Sequence, residues 1–297
     1  MLFDLFKHVE TGNKNALEIK LNYPTFYENR NDNGDTLLTL ATKLGYGDIV
    51  ELLLERGADP DSYDSDGNSP MIISARHSLI SIAEILIKYG ASVNIRDSFG
   101  NTPLILASRC GYTSFCELML HHFALINDQN DIGETALICS VKNRYSYLTD
   151  FLLSKGSCVN LQDILKRTAL IIACEQNDVR IVKSLLDYRP NLELSDVSGC
   201  TAIVYACCYA SHQIAKLLLE NNCNPSHRTL SRDTPLMYAA NNGKLDTARS
   251  LLLFGAKTSD KNFKGNNAMI YAERRGYRDI VDFLSEWEKT FDYLYEV

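Results

Sequence analysis

Asp97 to Asn127 reads DSFGNTPLILASRCGYTSFCELMLHHFALIN and holds one complete structural unit. The run Asp97-Ser98-Phe99-Gly100 is a turn. Thr102 and Pro103 come next, a hydroxyl N-cap with proline at the first helical position. Leu104, Ile105, Ala107 and Ser108 make a short apolar helix, and Gly111 stands where a C-terminal cap belongs. A second helix, Thr113 to about His121, carries Phe115, Leu118, Met119 and Leu120 at helical spacing. Such a unit is too small to bury its own apolar faces, so it needs copies of itself on either side.

The copies recur every 33 residues. The cap position runs Thr36, Ser69, Thr102, Thr135, Thr168, Thr201, Thr234 and Asn267. Five residues on stand Ala41, Ser74, Ala107, Ser140, Ala173, Ala206, Ala239 and Ala272, where a bulky side chain would hold neighbouring first helices apart. The second helix repeats Leu53, Leu86, Met119, Leu152, Leu185, Leu218, Leu251 and Leu284. Asp or Asn precedes the cap by five residues (Asn31, Asp64, Asp97, Asn130, Asp163, Asp196, Asn262), with Thr229 the exception. Columns held in phase over eight units describe a solenoid, and one domain is expected despite the length of the chain.

Thr102-Pro103-Leu104, Thr234-Pro235-Leu236, Gly57-Ala58-Asp59, Gly90-Ala91 and Gly255-Ala256 carry a resemblance to the ankyrin repeat over residues 31 to about 286. The resemblance implies an all-α solenoid of stacked helix-turn-helix units with β-turn or hairpin fingers, capped at both ends. Residues 1–33 are expected to be a degenerate capping repeat. Eight repeats then fill 34–285, starting near 34, 67, 100, 133, 166, 199, 232 and 265, with a helical extension over 286–297. In the first layer Leu2, Phe3, Phe6 and Val9 suit a buried face, and Pro24 interrupts the chain just past the second helix. At the other end Trp287, Phe291 and Leu294 recur at helical spacing and would shield the last interface. One departure is systematic: the family places His after Thr-Pro-Leu. Here that column is Thr39, Ile72, Ile105, Ile138, Ile171, Val204, Met237 and Ile270, so apolar contact is expected to replace the histidine's hydrogen bonds. Drift at Arg144, Arg189-Pro190 and Asn222-Cys223 makes residues 140–230 the expected least regular region.

A net charge of −7 argues against general nucleic-acid affinity, and no apolar run reaches the eighteen or so residues of a membrane span. The N-terminus lacks the pattern of a signal peptide. Nine cysteines without a Cys-x-x-Cys pair point to a reducing, intracellular, cytoplasmic setting and to no metal site. Nucleotide-binding, serine-hydrolase, zinc-protease and kinase motifs are absent, so neither catalytic nor cofactor-binding residues are expected. A thiol enzyme built on Cys110 or Cys208, with His77 one unit back from Cys110, is the weakest reading; a deep pocket around that pair would support it.

The resemblance places partner binding at the turn tips and the exposed side of the first helices. The tips carry Phe99, Ile132, Ile164, Leu165, Val197, Leu230 and Phe263, although turn tips are normally polar. These side chains either pack against neighbouring turns or form an apolar strip for a partner. Seven residues past the cap stand Lys43, Arg76, Arg109 and Lys142, with Arg274 ending the same column. A cation in a helix's last turn is favoured by the dipole, yet stacked like charges repel, and a partner's acidic groups would relieve them. His77, beside Arg76, and Tyr209, beside Cys208, complete the candidate surface. The expected function is a non-enzymatic, monomeric scaffold. Its first half would steer an acidic or phosphorylated segment, while the tips of its second half grip apolar anchors. The alternative is a substrate-recruiting or accessory subunit, or the binding part of a longer enzyme. A host-cell effector is included there, because the acidic and apolar C-terminal residues resemble export signals of some intracellular bacteria.

Overall fold

A computed structural model describes residues 2–21 and 29–295. The expected interruption at Pro24 lies outside them, as do the side chains of Leu2, Phe3, Phe291 and Leu294. The described residues form helices joined by turns, with no strand or sheet. The helices pair as α1 (Leu2–Glu10) with α2 (Lys14–Lys20), α3 (Leu37–Leu44) with α4 (Gly47–Glu55), and α5 (Pro70–His77) with α6 (Ile80–Lys88). Next come α7 (Pro103–Cys110) with α8 (Thr113–His121), α9 (Ala136–Lys142) with α10 (Ser146–Ser154), and α11 (Ala169–Glu175) with α12 (Val179–Asp187). The last three pairs are α13 (Ala202–Cys208) with α14 (His212–Glu220), α15 (Pro235–Asn241) with α16 (Leu245–Leu253), and α17 (Ala268–Arg275) with α18 (Arg278–Tyr295). Contacts divide the chain into two compact units. One unit is Met1–Leu148 with Lys155–Ser157; the other is Thr149–Ser154 with Cys158–Val297.

Each repeat closes for local reasons. The cap oxygen accepts the backbone N–H three residues on at Thr36, Ser69, Thr102, Thr135, Thr168, Thr234 and Asn267, at 3.0–3.4 Å. Every member of the small column, Ala41 through Ala272, is fully buried, and so is every member of the second-helix column, Leu53 through Leu284. Each of those long apolar side chains contributes about 1.5–3 kcal/mol when withdrawn from water. The column that replaces the family's histidine is buried from Thr39 to Met237, and Ile270 is half-buried. Its apolar members are thus withdrawn from water, while Thr39 still hydrogen-bonds Thr36 at 3.1–3.2 Å and Met237 Sδ accepts the Thr234 N–H at 3.4 Å.

Chain reversal is as periodic as the helices. Every described residue with positive φ falls in one of three columns, represented by Gly34, Gly45 and Gly57 and repeated every 33 residues. In the expected irregular region the helices keep register, and the substitution appears instead as non-glycine residues held left-handed: Arg144, Lys166, Asn177, Arg189 and Asn222. Among the described residues, the sixth repeat departs from the pattern at several positions. There Thr201 makes no side-chain cap, and Ala210 is the one described residue of its column without positive φ. Its neighbour Ser211 and the adjoining His212 each carry a buried polar atom without a partner. At the C-terminus α18 runs 18 residues, and the rings of Phe283 and Trp287 lie side by side along it, tilted by 55° with centroids 5.9 Å apart.

Candidate functional site

The fingers that join successive repeats are built on the Asp/Asn column. One oxygen of Asn31, Asp64, Asp97, Asn130, Asp163, Asp196 and Asn262 accepts the backbone N–H groups two and four residues on, at 2.7–3.2 Å. Thr229 reproduces one of these two bonds, from Asp233 N–H at 3.2 Å. The residue before that column ties one finger to the next. Arg96 donates to the Gly100 and Gln129 carbonyls at 2.9 and 2.7 Å, and Arg228 donates to the Lys261 carbonyl at 3.3 Å. Arg30 does the same to the Tyr63 carbonyl and Gln162 to the Ser195 carbonyl. In the second unit a backbone bond adds to each step: Val197 N–H to Leu165 O, Leu230 N–H to Ser198 O and Phe263 N–H to Ser231 O, at 3.0, 3.1 and 3.3 Å. These bonds brace each finger against the next.

The basic column of the first unit is paired with carboxylates of its own unit. Lys43 bridges Asp35 and Asp64 at 2.5 and 2.9 Å, and Arg76 binds the fully buried Asp97 at 2.8 Å. Arg109 meets Glu134 at 3.1 Å, and Lys142 pairs with the same buried carboxylate. Burial alone would raise the Glu134 carboxyl, but the Lys142 hydrogen bond and the charges of Lys142 and Arg109 outweigh it and hold it below the ordinary range. The balance at Asp64 is the same: burial raises, and the bonds from Lys43 and Asn68 lower by more.

The second unit satisfies its carboxylates differently. Four residues past the cap, where the first unit has Leu40, Ile73, Leu106 and Cys139, the second has Ile172 and then Tyr205, Tyr238 and Tyr271. Tyr205 donates its hydroxyl to Asp196 at 2.9 Å and Tyr271 donates to Asp233 at 3.0 Å. Burial first, then these carboxylates, push both phenols up. In these repeats the basic column reads Glu175, Cys208 and Asn241, and Asp196 and Asp233 are held by tyrosine hydroxyls instead of by a cation of that column. Arg274, at the end of the column, is exposed.

The apolar tips do not pack away. Phe99 and Ile132 in the first unit are 67% and 47% exposed. Ile164, Leu165, Val197, Leu230 and Phe263 in the second are 67%, 46%, 50%, 71% and 71% exposed. The charges beside them are of opposite sign in the two units. First-unit tips carry exposed Asp32, Asp66 and Asp131; second-unit tips carry exposed Lys166, Arg232 and Lys264. Arg232 lies over the Phe263 ring, 5.0 Å from its centroid. Sequence reasoning singled out the cations of the first helices and missed those at the tips. Their signal is the residue beside each apolar tip, compared between the early and the late repeats.

Among the remaining candidates, Tyr209 is 62% exposed and lies 6.0 Å from the Tyr205 ring. His77 and Cys110 are both exposed, without the enclosure that an activated thiol pocket requires. Burial pushes the Cys208 thiol up to about 12, with the neighbouring Cys200 adding to the effect, so it stays protonated near neutrality. Among the described residues no group of three or more His, Cys, Asp or Glu side chains is placed to hold a metal ion. No helix among them is long and apolar enough to cross a membrane.

Comparison with known families matches the chain to a family model described as ankyrin repeats (3 copies), over residues 5–97, 94–163, 148–229 and 222–293. Comparison with curated proteins returns no match.

Proposed function

The chain belongs to the ankyrin-repeat family, whose repeats are in general non-enzymatic protein–protein interaction modules, and from that premise we propose that it binds a polypeptide partner along the fingertips of its second unit. One observation carries this reading: four consecutive fingers present Ile164, Leu165, Val197, Leu230 and Phe263 to solvent on braced backbones. Exposed apolar side chains on rigid turns lose little conformational freedom on binding, and covering them withdraws apolar surface from water. The internally paired Lys43, Arg76, Arg109 and Lys142 belong to the architecture of the first unit and not to this surface.

Selection of displayed peptides on the full chain tests the proposal. Peptides captured by the chain are expected to lose at least about tenfold in affinity on a Leu230→Ser, Phe263→Ser variant, since each truncation removes on the order of 1 kcal/mol of apolar contact. Both side chains are 71% exposed, so the variant keeps its fold, which circular dichroism checks. Captured peptides that bind chain and variant equally would overturn the reading.

A further inference from the structure

Resting on that reading, we infer that the segment bound by the second unit is extended and acidic, with apolar anchors recurring about every third residue. The inference starts from the charges. Lys166, Arg232 and Lys264 sit beside the apolar tips and are exposed, and among the described residues no ion pair occupies any of them. The nearby carboxylates are already engaged. Asp163 is held by Arg167 at 2.9 Å, Asp196 by Tyr205 at 2.9 Å, and Asp233 by Tyr271 and Asn262 at 3.0 and 2.6 Å. Apart from the contact of Arg232 with the Phe263 ring, the three cations are therefore left to a partner, on a chain whose net charge is −7. Attraction of unlike charge across a rim sets specificity and speeds encounter.

Geometry sets the spacing. Helices packed in register lie about 8–10 Å apart, and the fingers they carry step by a similar distance. An extended chain rises about 3.3 Å per residue, so one apolar anchor per finger requires roughly three residues. Four fingers then take a segment of about ten to twelve residues, with acidic side chains between the anchors. A nucleic acid fits this surface poorly: single strands are held by stacking on aromatic rings, whereas four of the five apolar tip residues are aliphatic.

The test uses the full chain and three synthetic twelve-residue peptides: Glu-Glu-Leu, Ser-Ser-Leu and Lys-Lys-Leu, each repeated four times with blocked ends. By fluorescence anisotropy at about 0.01 M ionic strength, the Glu peptide is expected to bind about tenfold or more tightly than the Ser peptide, with the gap narrowing at about 0.15 M. A Lys166→Glu, Arg232→Glu, Lys264→Glu variant is expected to reverse the order, preferring the Lys peptide. Equal affinity for the Glu and Ser peptides overturns the acidic preference. If both then weaken on the Leu230→Ser, Phe263→Ser variant, the fingertip reading survives and only this inference falls. A chain that binds none of the three peptides overturns the inference as well. So does tighter binding of a single-stranded oligothymidylate, which would assign the strip to nucleic acid. Sedimentation showing that the charge-reversed variant dissociates a dimer would give the strip to a second copy and overturn it too.

Discussion

Asp64 illustrates how much one side chain does in this architecture. Its Oδ1 accepts the N–H groups of Asp66 and Asn68 at 3.0 and 2.8 Å, while Oδ2 holds Lys43 at 2.9 Å. Asp64→Ala removes the finger's two backbone acceptor bonds and leaves Lys43 with Asp35 alone. Its expected effect is a loss of about 3 kcal/mol, read as faster hydrogen exchange across the flanking repeats of the first unit. Arg109→Glu is expected to be destabilising as well, because it sets a second carboxylate against the buried Glu134. A binding defect in that variant must therefore be judged against its lowered melting temperature. The same pairs fix the response to pH. Asp64 and Glu134 are held below their ordinary values of 3.8 and 4.5, so their contribution is complete above those values and lost as pH falls through the depressed ones. Lys43, which burial would lower, is raised by its bonds to Asp35 and Asp64; its contribution is complete below 10.5 and lost above the raised value. Thermal melts should thus hold steady from pH 6 to 8 and fall on the acid side beginning near about pH 4. A melting temperature unchanged between pH 6 and 3 would contradict the pairing.

At the scale of the element, the loop between the two helices of a repeat is set by what the next repeat places over it. A Cβ added at Gly243 would stand 2.7 Å from the Tyr277 ring, whereas one added at Gly45 meets nothing within 4 Å. Both residues are left-handed, at φ 70 and 77. Gly45→Ala is expected to lose about 1 kcal/mol from backbone strain alone, and Gly243→Ala distinctly more, because the ring must also move. Equal shifts in urea midpoint would refute that contact. In the opposite sense, Phe123 is left-handed at φ 63 and 87% exposed, in a column where Gly57, Gly90 and Gly156 stand elsewhere. Phe123→Gly should stabilise the protein by up to about 1 kcal/mol. The helices, their caps and the buried columns were legible in the sequence because they depend on position within one repeat. The ion pairs were not. Lys43 finds Asp64 21 residues on, in the next finger, and a column records no direction across the stack. For the same reason the tyrosine hydroxyls of Tyr205 and Tyr271 could not be matched to their carboxylates from spacing. The tip residues were named from the sequence, but whether they lay inside or outside waited on the packing of adjacent turns.

Over the whole molecule, cohesion is a matter of neighbours. Among the described residues, strong helix contacts run only between the two helices of one repeat or between like helices of adjacent repeats. A defect in such an array weakens the interfaces it touches, and its influence decays with distance along the chain. Leu218, in α14, is fully buried, and contacts are made from α14 to α12, α13 and α16. Leu218→Ala removes about 2–5 kcal/mol through lost burial and the cavity left behind. Hydrogen exchange should accelerate from Thr168 to Leu253, most of all near the already under-bonded Thr201, Ser211 and His212. Amides from Thr36 to His121 should keep their protection, because none of the helices there depends on α14. Protection lost to the same degree in every helix would mean that the chain unfolds as one cooperative body, and a nearest-neighbour account of its stability would have to be abandoned.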